Sequence, residues 1–333
     1  MNEDIQIKYN LIIGCILIPY VEKAIKLLEE SKRHKVQNTH GYRKRVMYIL
    51  NKTNREKAVI ICVFLLIIIF TMAHVSGTSR KIVRVHDETL ITFQDMIQEV
   101  STAKVIYIGE QHSEPAHHKT QLDVIQALYE QGQPLAIGIE MFKKGDQHHL
   151  DAWVAGKMSE KEFIPLFLEN WGYGWNFYRD IFLFAREKKI PLVALNVPQE
   201  ITRKVGQTGF QSLTDEELSK LPPGVTCELD QQYMDHLVEI FQYKGSTDKS
   251  FFFFCEAQVL WDQAMAWHLT DYMKKNTDKT VIVLAGAIHA WKYGIPKQKQ
   301  RYLSVEQRII IPDLPVSVEL ITVDDADYFV VHS

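Results

Sequence analysis

From about residue 104 onward, short runs of β-branched and aliphatic residues alternate with longer stretches of helical period. Lys104–Ile108 reads as a strand ending at Gly109. Ser113 and Pro115 open a predicted helix through about Glu130, with Leu122, Ile125 and Leu128 on its apolar side; Gly132 and Pro134 break it. Leu135–Ile139, Pro191–Leu195 and Thr280–Leu284 repeat the strand pattern and end at Glu140, Asn196 and Gly286. Ile309–Ile311 and Val316–Val323 add β-rich ends. Between them, residues 146–188 read as helix in three pieces, with a capping-box pattern at Ser159–Glu162 and a break at Trp171-Gly-Tyr-Gly. Residues 198–245 are mostly helical, with a second capping box at Thr214–Glu217, and residues 251–275 form one long helix. Strands alternating with helices predict an α/β fold, a mainly parallel sheet flanked by helices. The blocks at 146–188 and 198–275 exceed what single crossovers need, and predict a smaller helical cap subdomain.

The start of the chain follows another pattern. Ala58 to Phe70 is unbroken apolar sequence, and residues 31–57 before it hold nine Lys and Arg against the single acid Glu56. A basic flank before a short apolar core has the layout of a signal peptide or signal anchor over residues 58–77. It predicts export, with residues 78–333 outside the cytoplasm, in the cell envelope or periplasm, and attachment to the membrane through the segment. Residues 1–57 read either as a basic cytoplasmic extension or as an upstream start, with Met47 beginning an ordinary leader.

Composition narrows the function. The first 77 residues carry 12 Lys and Arg against 6 Asp and Glu; the remainder carries 26 against 35. An acidic body argues against a nucleic-acid partner, which requires clustered cations. Four cysteines without a C-x-x-C give no support to a zinc ribbon, a thioredoxin site or c-type haem attachment.

The polar residues at the strand ends carry the candidate chemistry. Parallel sheets build sites outside the carboxyl ends of their strands. Here those ends are Gly109-Glu110-Gln111-His112, Glu140, Asn196 and Gly286-Ala287-Ile288-His289. Two share the form Gly-x-x-His, in which glycine permits a sharp turn or close approach and histidine overhangs the sheet edge. With Glu110 or Glu140, His112 and His289 form a donor set for a divalent metal such as zinc or manganese. The competing reading is histidines that satisfy loop carbonyls. His117-His118 lies within reach of His112; His148-His149 opens another helix and reads as solvated. Gln258 and Asp262 share one face of the long helix. Trp171, Tyr173, Trp175, Phe177 and Tyr178, followed by Arg179, crowd into a candidate aromatic wall.

These stretches resemble a known family. Gly109 to His112 with Pro115-Ala-His-His, Glu140-Met-Phe, Trp171 to Arg179, Ala194-Leu-Asn-Val-Pro, Gln258 to Asp262 with Met265-Ala266, and Gly286 to His289 with Gly294-Ile-Pro are similar to the ChaN-like haem-binding proteins, over residues 95–300 and in order. That family is grouped with Tiki, TraB and erythromycin-esterase-like proteins, which share two Gly-x-x-His motifs and a glutamate. The resemblance implies the same α/β fold and an iron-uptake role. It also implies ferric haem held by a tyrosinate, and a homodimer around cofacial haems. A phenolate suits ferric iron, but its ordinary pKa near 10 must fall. Tyr178 beside Arg179 is the first candidate ligand, Tyr173 the substitute, and Tyr233 with His236 the third. His112, His289, Asn196, Gln258 and Asp262 complete the expected haem site. The alternative is a metal-dependent hydrolase in which His112, His289 and one of Glu110 and Glu140 hold the ion and the other carboxylate is the general base.

Overall fold

Val105, Ile106, Tyr107 and Ile108 are all buried, yet they serve two different cores, because successive strand residues point to opposite faces. This pattern recurs along the central strands of the computed structural model, which describes residues 80–241, 248–313 and 321–332. The basic and apolar segments expected at 1–57 and 58–77 lie outside the described residues. Among the described residues, no helix is long and apolar enough to cross a membrane.

Eight strands form one sheet: β1 (Arg80–Arg84), β2 (Thr89–Ile91), β3 (Val105–Glu110), β4 (Leu135–Lys143), β5 (Leu192–Asn196), β6 (Thr280–Gly286), β7 (Gln307–Pro312) and β8 (Tyr328–His332). Their order is β2-β1-β8-β7-β3-β6-β4-β5. The six strands from β8 to β5 run parallel, and β1 and β2 add an antiparallel hairpin at one edge. The mainly parallel sheet is as the sequence predicts.

One face of the sheet is covered by α1 (Phe93–Val100), α2 (Pro115–Glu130), α3 (Gln147–Val154), α4 (Glu160–Trp171) and α5 (Trp175–Lys188). Ile106, Ile137, Ile139 and Ile282 pack there against Ile125, Trp153, Phe163, Phe167 and Phe182. The helices at 147–188 therefore lie directly on the sheet as its flanking layer, not apart from it as a cap. The opposite face receives the C-terminal half of α9 (Lys249–Lys275), through Met265, Leu269 and Met273, with α10 (Ala287–Ala290) and α11 (Ile295–Gln300). The first half of α9 joins α6 (Gln199–Thr208), α7 (Asp215–Ser219) and α8 (Gln231–Phe241) around two smaller apolar clusters. That part has the character of a small helical subdomain.

Local chemistry fixes the helix starts. Both expected capping boxes form, and Thr92–Asp95 makes a third. Gly172 and Gly174, at φ 92° and 78°, supply the left-handed residues that turn α4 into α5. The edge strand β5 is closed by one side chain: Gln147 donates to Leu192 O at 2.7 Å and accepts from Ala194 N–H at 2.8 Å. An amide thus replaces a neighbouring strand and blunts the edge.

Candidate functional site

Strands β3, β6 and β4 are neighbours, so their carboxyl ends share one rim, with Glu110 opposite Gly286 in register. Neither motif glycine is there to make a turn. A Cβ on Gly109 would lie 3.0 Å from Ala287 Cα, and one on Gly286 would lie 2.9 Å from His112 Cε1. Each Gly-x-x-His motif makes room for the other, so the reason for glycine is close approach. Glu140 lies within a register shift between β4 and β5. Its Oε2 accepts the Gly286 N–H at 2.7 Å, and its Oε1 stands 3.7 Å from His289 Nε2.

The two histidines are held alike. His112 Nδ1–H donates to Glu110 Oε1 at 2.9 Å, and His289 Nδ1–H donates to Asp262 Oδ1 at 2.7 Å. In each, a carboxylate orients the ring and leaves Nε2 free for other partners. Glu110 itself is saturated. It also accepts from the Tyr178 hydroxyl, from Gln121 Nε2 at 2.7 Å, and from His118 Nδ1 at 3.3 Å. Burial pushes the Glu110 carboxyl up, but the His112 and His118 bonds outweigh it and leave it well below the usual range. A buried carboxylate with four donors has its lone pairs committed, so Glu110 positions His112 rather than binding an ion.

Burial drives the His289 imidazole toward neutrality, but Asp262 and Glu140 overcome it and raise its pKa to about 9. Both ring nitrogens face carboxylates, so it is held as imidazolium. His112 also rises, because the Glu110 bond and the Glu140 charge exceed the burial penalty. His118 rises for the same reason, chiefly the Glu110 bond against burial, and its Nε2–H donates to His112 O at 3.1 Å. Asp262 is wholly buried and additionally accepts the Tyr233 hydroxyl at 2.8 Å.

The tyrosines separate cleanly. Tyr178 is wholly buried, and burial followed by the Glu110 charge raises its pKa far above the ordinary value. The expected pairing with Arg179 does not form: that guanidinium turns outward to Glu160, at 2.6 Å. Adjacent helix residues point about 100° apart, so sequence neighbours on α5 do not share a partner. Tyr233 is buried on Asp262, while His236 packs against Trp291 and Tyr293, so that pair also divides. Tyr173, by contrast, is 49% exposed. It stacks near Trp171, whose ring meets His112 edge-on at 4.9 Å between centroids.

The other expected residues have structural partners. Asn196 donates to Glu140 O at 2.9 Å and accepts from Val197 N–H, which pins the β4 irregularity. Gln258 is buried, with its Oε1 unbonded among the described residues. The rings of His148 and His149 meet each other at a tilt of 43°, 3.8 Å between centroids. His117 belongs to a group with no signature in local spacing: a ring nitrogen of His117, a carboxylate oxygen of Asp313 and a ring nitrogen of His332 lie within 4.8 Å of one another.

The chain is thus an α/β protein with two carboxylate-held histidines at one strand-end rim, one of them facing a third carboxylate. The family of haem-binding uptake proteins, ChaN, of the Tiki superfamily, matches residues 96–298, and the chain belongs to that family. Among solved structures, cofacial haem-binding ChaN of Campylobacter jejuni is 22% identical with a TM-score of 0.61; the match covers 76% of this chain and 97% of that one. An erythromycin esterase in its open conformation is 14% identical at a TM-score of 0.42, over 77% of this chain and 83% of that one. The type III effector HopBA1 is 14% identical at a TM-score of 0.42, over 72% and 91%. The likeness to the Campylobacter jejuni structure shows the fold. No curated protein matches the chain.

Proposed function

We propose that this chain binds ferric haem at the strand-end rim, with Tyr173 as the iron ligand, and serves haem or iron uptake from the cell envelope. The carrying observation is that the family match spans every rim residue, and that of the two tyrosines in the matched aromatic stretch Tyr173 is exposed while Tyr178 is buried. Burial first, then the Glu110 and Glu140 charges, raises the Tyr173 phenol. Bound ferric iron supplies the positive charge that favours the phenolate. Trp171 offers an apolar surface beside it, and the part-exposed ring of His112, whose pKa is raised, is placed to meet an anionic group of the ligand. Export through residues 58–77, retention at the membrane and pairing of two copies around the haem belong to the same proposal. The basic flank and apolar run support the first two, and the exposed Tyr173 face supports the third.

One observation favours a second reading. His112 and His289, each backed by a carboxylate and converging on Glu140, also suit a metal-dependent hydrolase, with Glu140 as ligand or base. Titration of the full chain separates the two. Ferric haem should give a Soret shift and a high-spin tyrosinate band at saturation, with no stoichiometric uptake of zinc or manganese. One equivalent of either metal with no haem shift would reverse the assignment.

A further inference from the structure

His117 lies in the first turn of α2 and is buried. Its Nδ1 accepts the backbone N–H of Gln111 at 2.9 Å. Gln111 stands between Glu110 and His112, so this bond anchors the loop that carries both. On the other side of the ring, His117 Nε2 lies 3.6 Å from Asp313 Oδ1. The same oxygen is 2.6 Å from His332 Nδ1 and accepts the His332 backbone N–H at 3.2 Å. His332 Nε2 meets Thr120 Oγ1 at 2.8 Å, and the two imidazoles are 5.1 Å apart. The end of β7, strand β8, helix α2 and the rim loop are thus tied at one point.

Two histidines and an aspartate suggest zinc, but the hydrogen bonding opposes it. A ring whose Nδ1 accepts an N–H carries its own proton on Nε2, and has no lone pair there for a metal. The 2.6 Å contact is a hydrogen bond, closer than neighbouring ligands on zinc stand. The group is built for protons.

We propose that the His117–Asp313–His332 group is an acid-sensitive latch on the rim loop: a proton on His117 Nδ1 removes the acceptor for Gln111, frees the loop, and weakens ligand binding at Glu110 and His112. The effect on ligand rests on the rim reading above; the latch does not. Burial first, and then the neighbouring His332, hold His117 below the ordinary histidine range. Asp313 and Glu114 act in the opposite sense, and His118 adds to the lowering. With a folded pKa below the unfolded one, the unfolded or unlatched state binds more protons in acid. The latch therefore holds at neutral pH and opens as pH falls. Ligand held at neutral pH is then bound more weakly as pH falls.

The full-length protein uniformly labelled with 15N tests this directly. Long-range proton–nitrogen spectra at pH 7.5 should show His117 protonated on Nε2, and the Gln111 amide should move with His117 as pH is lowered. Haem affinity should fall roughly tenfold with the loss of one such bond. In His117→Asn, the amide oxygen can stand in for Nδ1 and takes no proton. Its haem affinity at pH 7.5 should match the parent within about threefold, and its loss in acid should shrink. An unchanged acid loss in His117→Asn would overturn the latch. So would a proton on His117 Nδ1 at neutral pH, or one equivalent of zinc shifting the His117 and His332 resonances together. If haem does not bind at all while the Gln111 amide titrates as stated, the rim reading fails and the latch stands. His117→Ala, checked by thermal melting, should lose affinity at both pH values.

Discussion

Removing the Tyr178 hydroxyl separates a tyrosine that supports the site from one that serves the ligand. Tyr178→Phe keeps the ring that packs against Phe167 and His118, and deletes one donor to Glu110. A hydrogen bond to a charged acceptor contributes about 1.5–3 kcal/mol. Glu110 retains His112, His118 and Gln121 as donors, so no buried charge is orphaned and the lower half of that range applies. The expected loss is about 2 kcal/mol, or roughly 4–8 °C in melting temperature for a domain of this size. Urea unfolding followed by circular dichroism measures it, with slopes compared to ensure that the unfolded states match. The haem spectrum should keep its tyrosinate band. Parent-like stability would mean that the hydroxyl does not donate to Glu110. Disappearance of the tyrosinate band would make Tyr178 the ligand, and the burial argument would be wrong.

Three further outcomes follow from the same contacts. Lys299 is wholly buried, its Nζ has no partner among the described residues, and burial lowers it to about 8. Lys299→Met should therefore stabilise the fold at pH 7 by about 3 kcal/mol. The parent should recover that deficit between pH 8 and 10.5, and a pH-independent difference in unfolding free energy would refute it. His289 runs the other way. Its pKa is raised from 6.5 to about 9, so its contribution is complete below 6.5 and lost as pH rises through 9. Asp262→Asn should flatten that part of the stability–pH curve, by about 3 kcal/mol across the window; an unaltered curve would contradict the pairing. Gln147→Ala should open the β5 edge, cost about 1–2 kcal/mol, and promote association seen by light scattering; a monodisperse, equally stable variant would show that the edge needs no cover.

Much of the fold was legible because its central strands are apolar until an abrupt polar end. That signature belongs to parallel strands buried on both faces, and the residues at the switch mark the rim. The β1–β2 hairpin escaped notice. Leu90 is 68% exposed, and Glu88 turns the chain at φ 56° without glycine, so neither clean alternation nor a turn residue announces it. Strand β4 outruns its apolar pattern because Glu140 points into a site, where polarity says nothing about backbone conformation. The paired Gly-x-x-His motifs meet at one rim, as their place at strand ends implies, but the pairing of Tyr178 with Arg179 does not form. Tyr178 and Arg179 are adjacent in sequence, but adjacency on a helix separates side chains. Tyr233 was likewise matched to His236 one turn away, while its partner Asp262 comes from another helix. The His117 group was illegible for a related reason: Asp313, just past β7, and His332, in β8, approach from about 200 residues downstream, and no local spacing encodes that meeting.

The most direct test is a ferric haem titration of the full chain beside Tyr173→Phe. The hydroxyl lost there is on an exposed ring, so stability should change by no more than about 0.5 kcal/mol. The parent should show a high-spin tyrosinate spectrum at saturation, and Tyr173→Phe should lose that band with an unchanged fold. A variant that binds haem with the parent's tyrosinate spectrum would contradict the account.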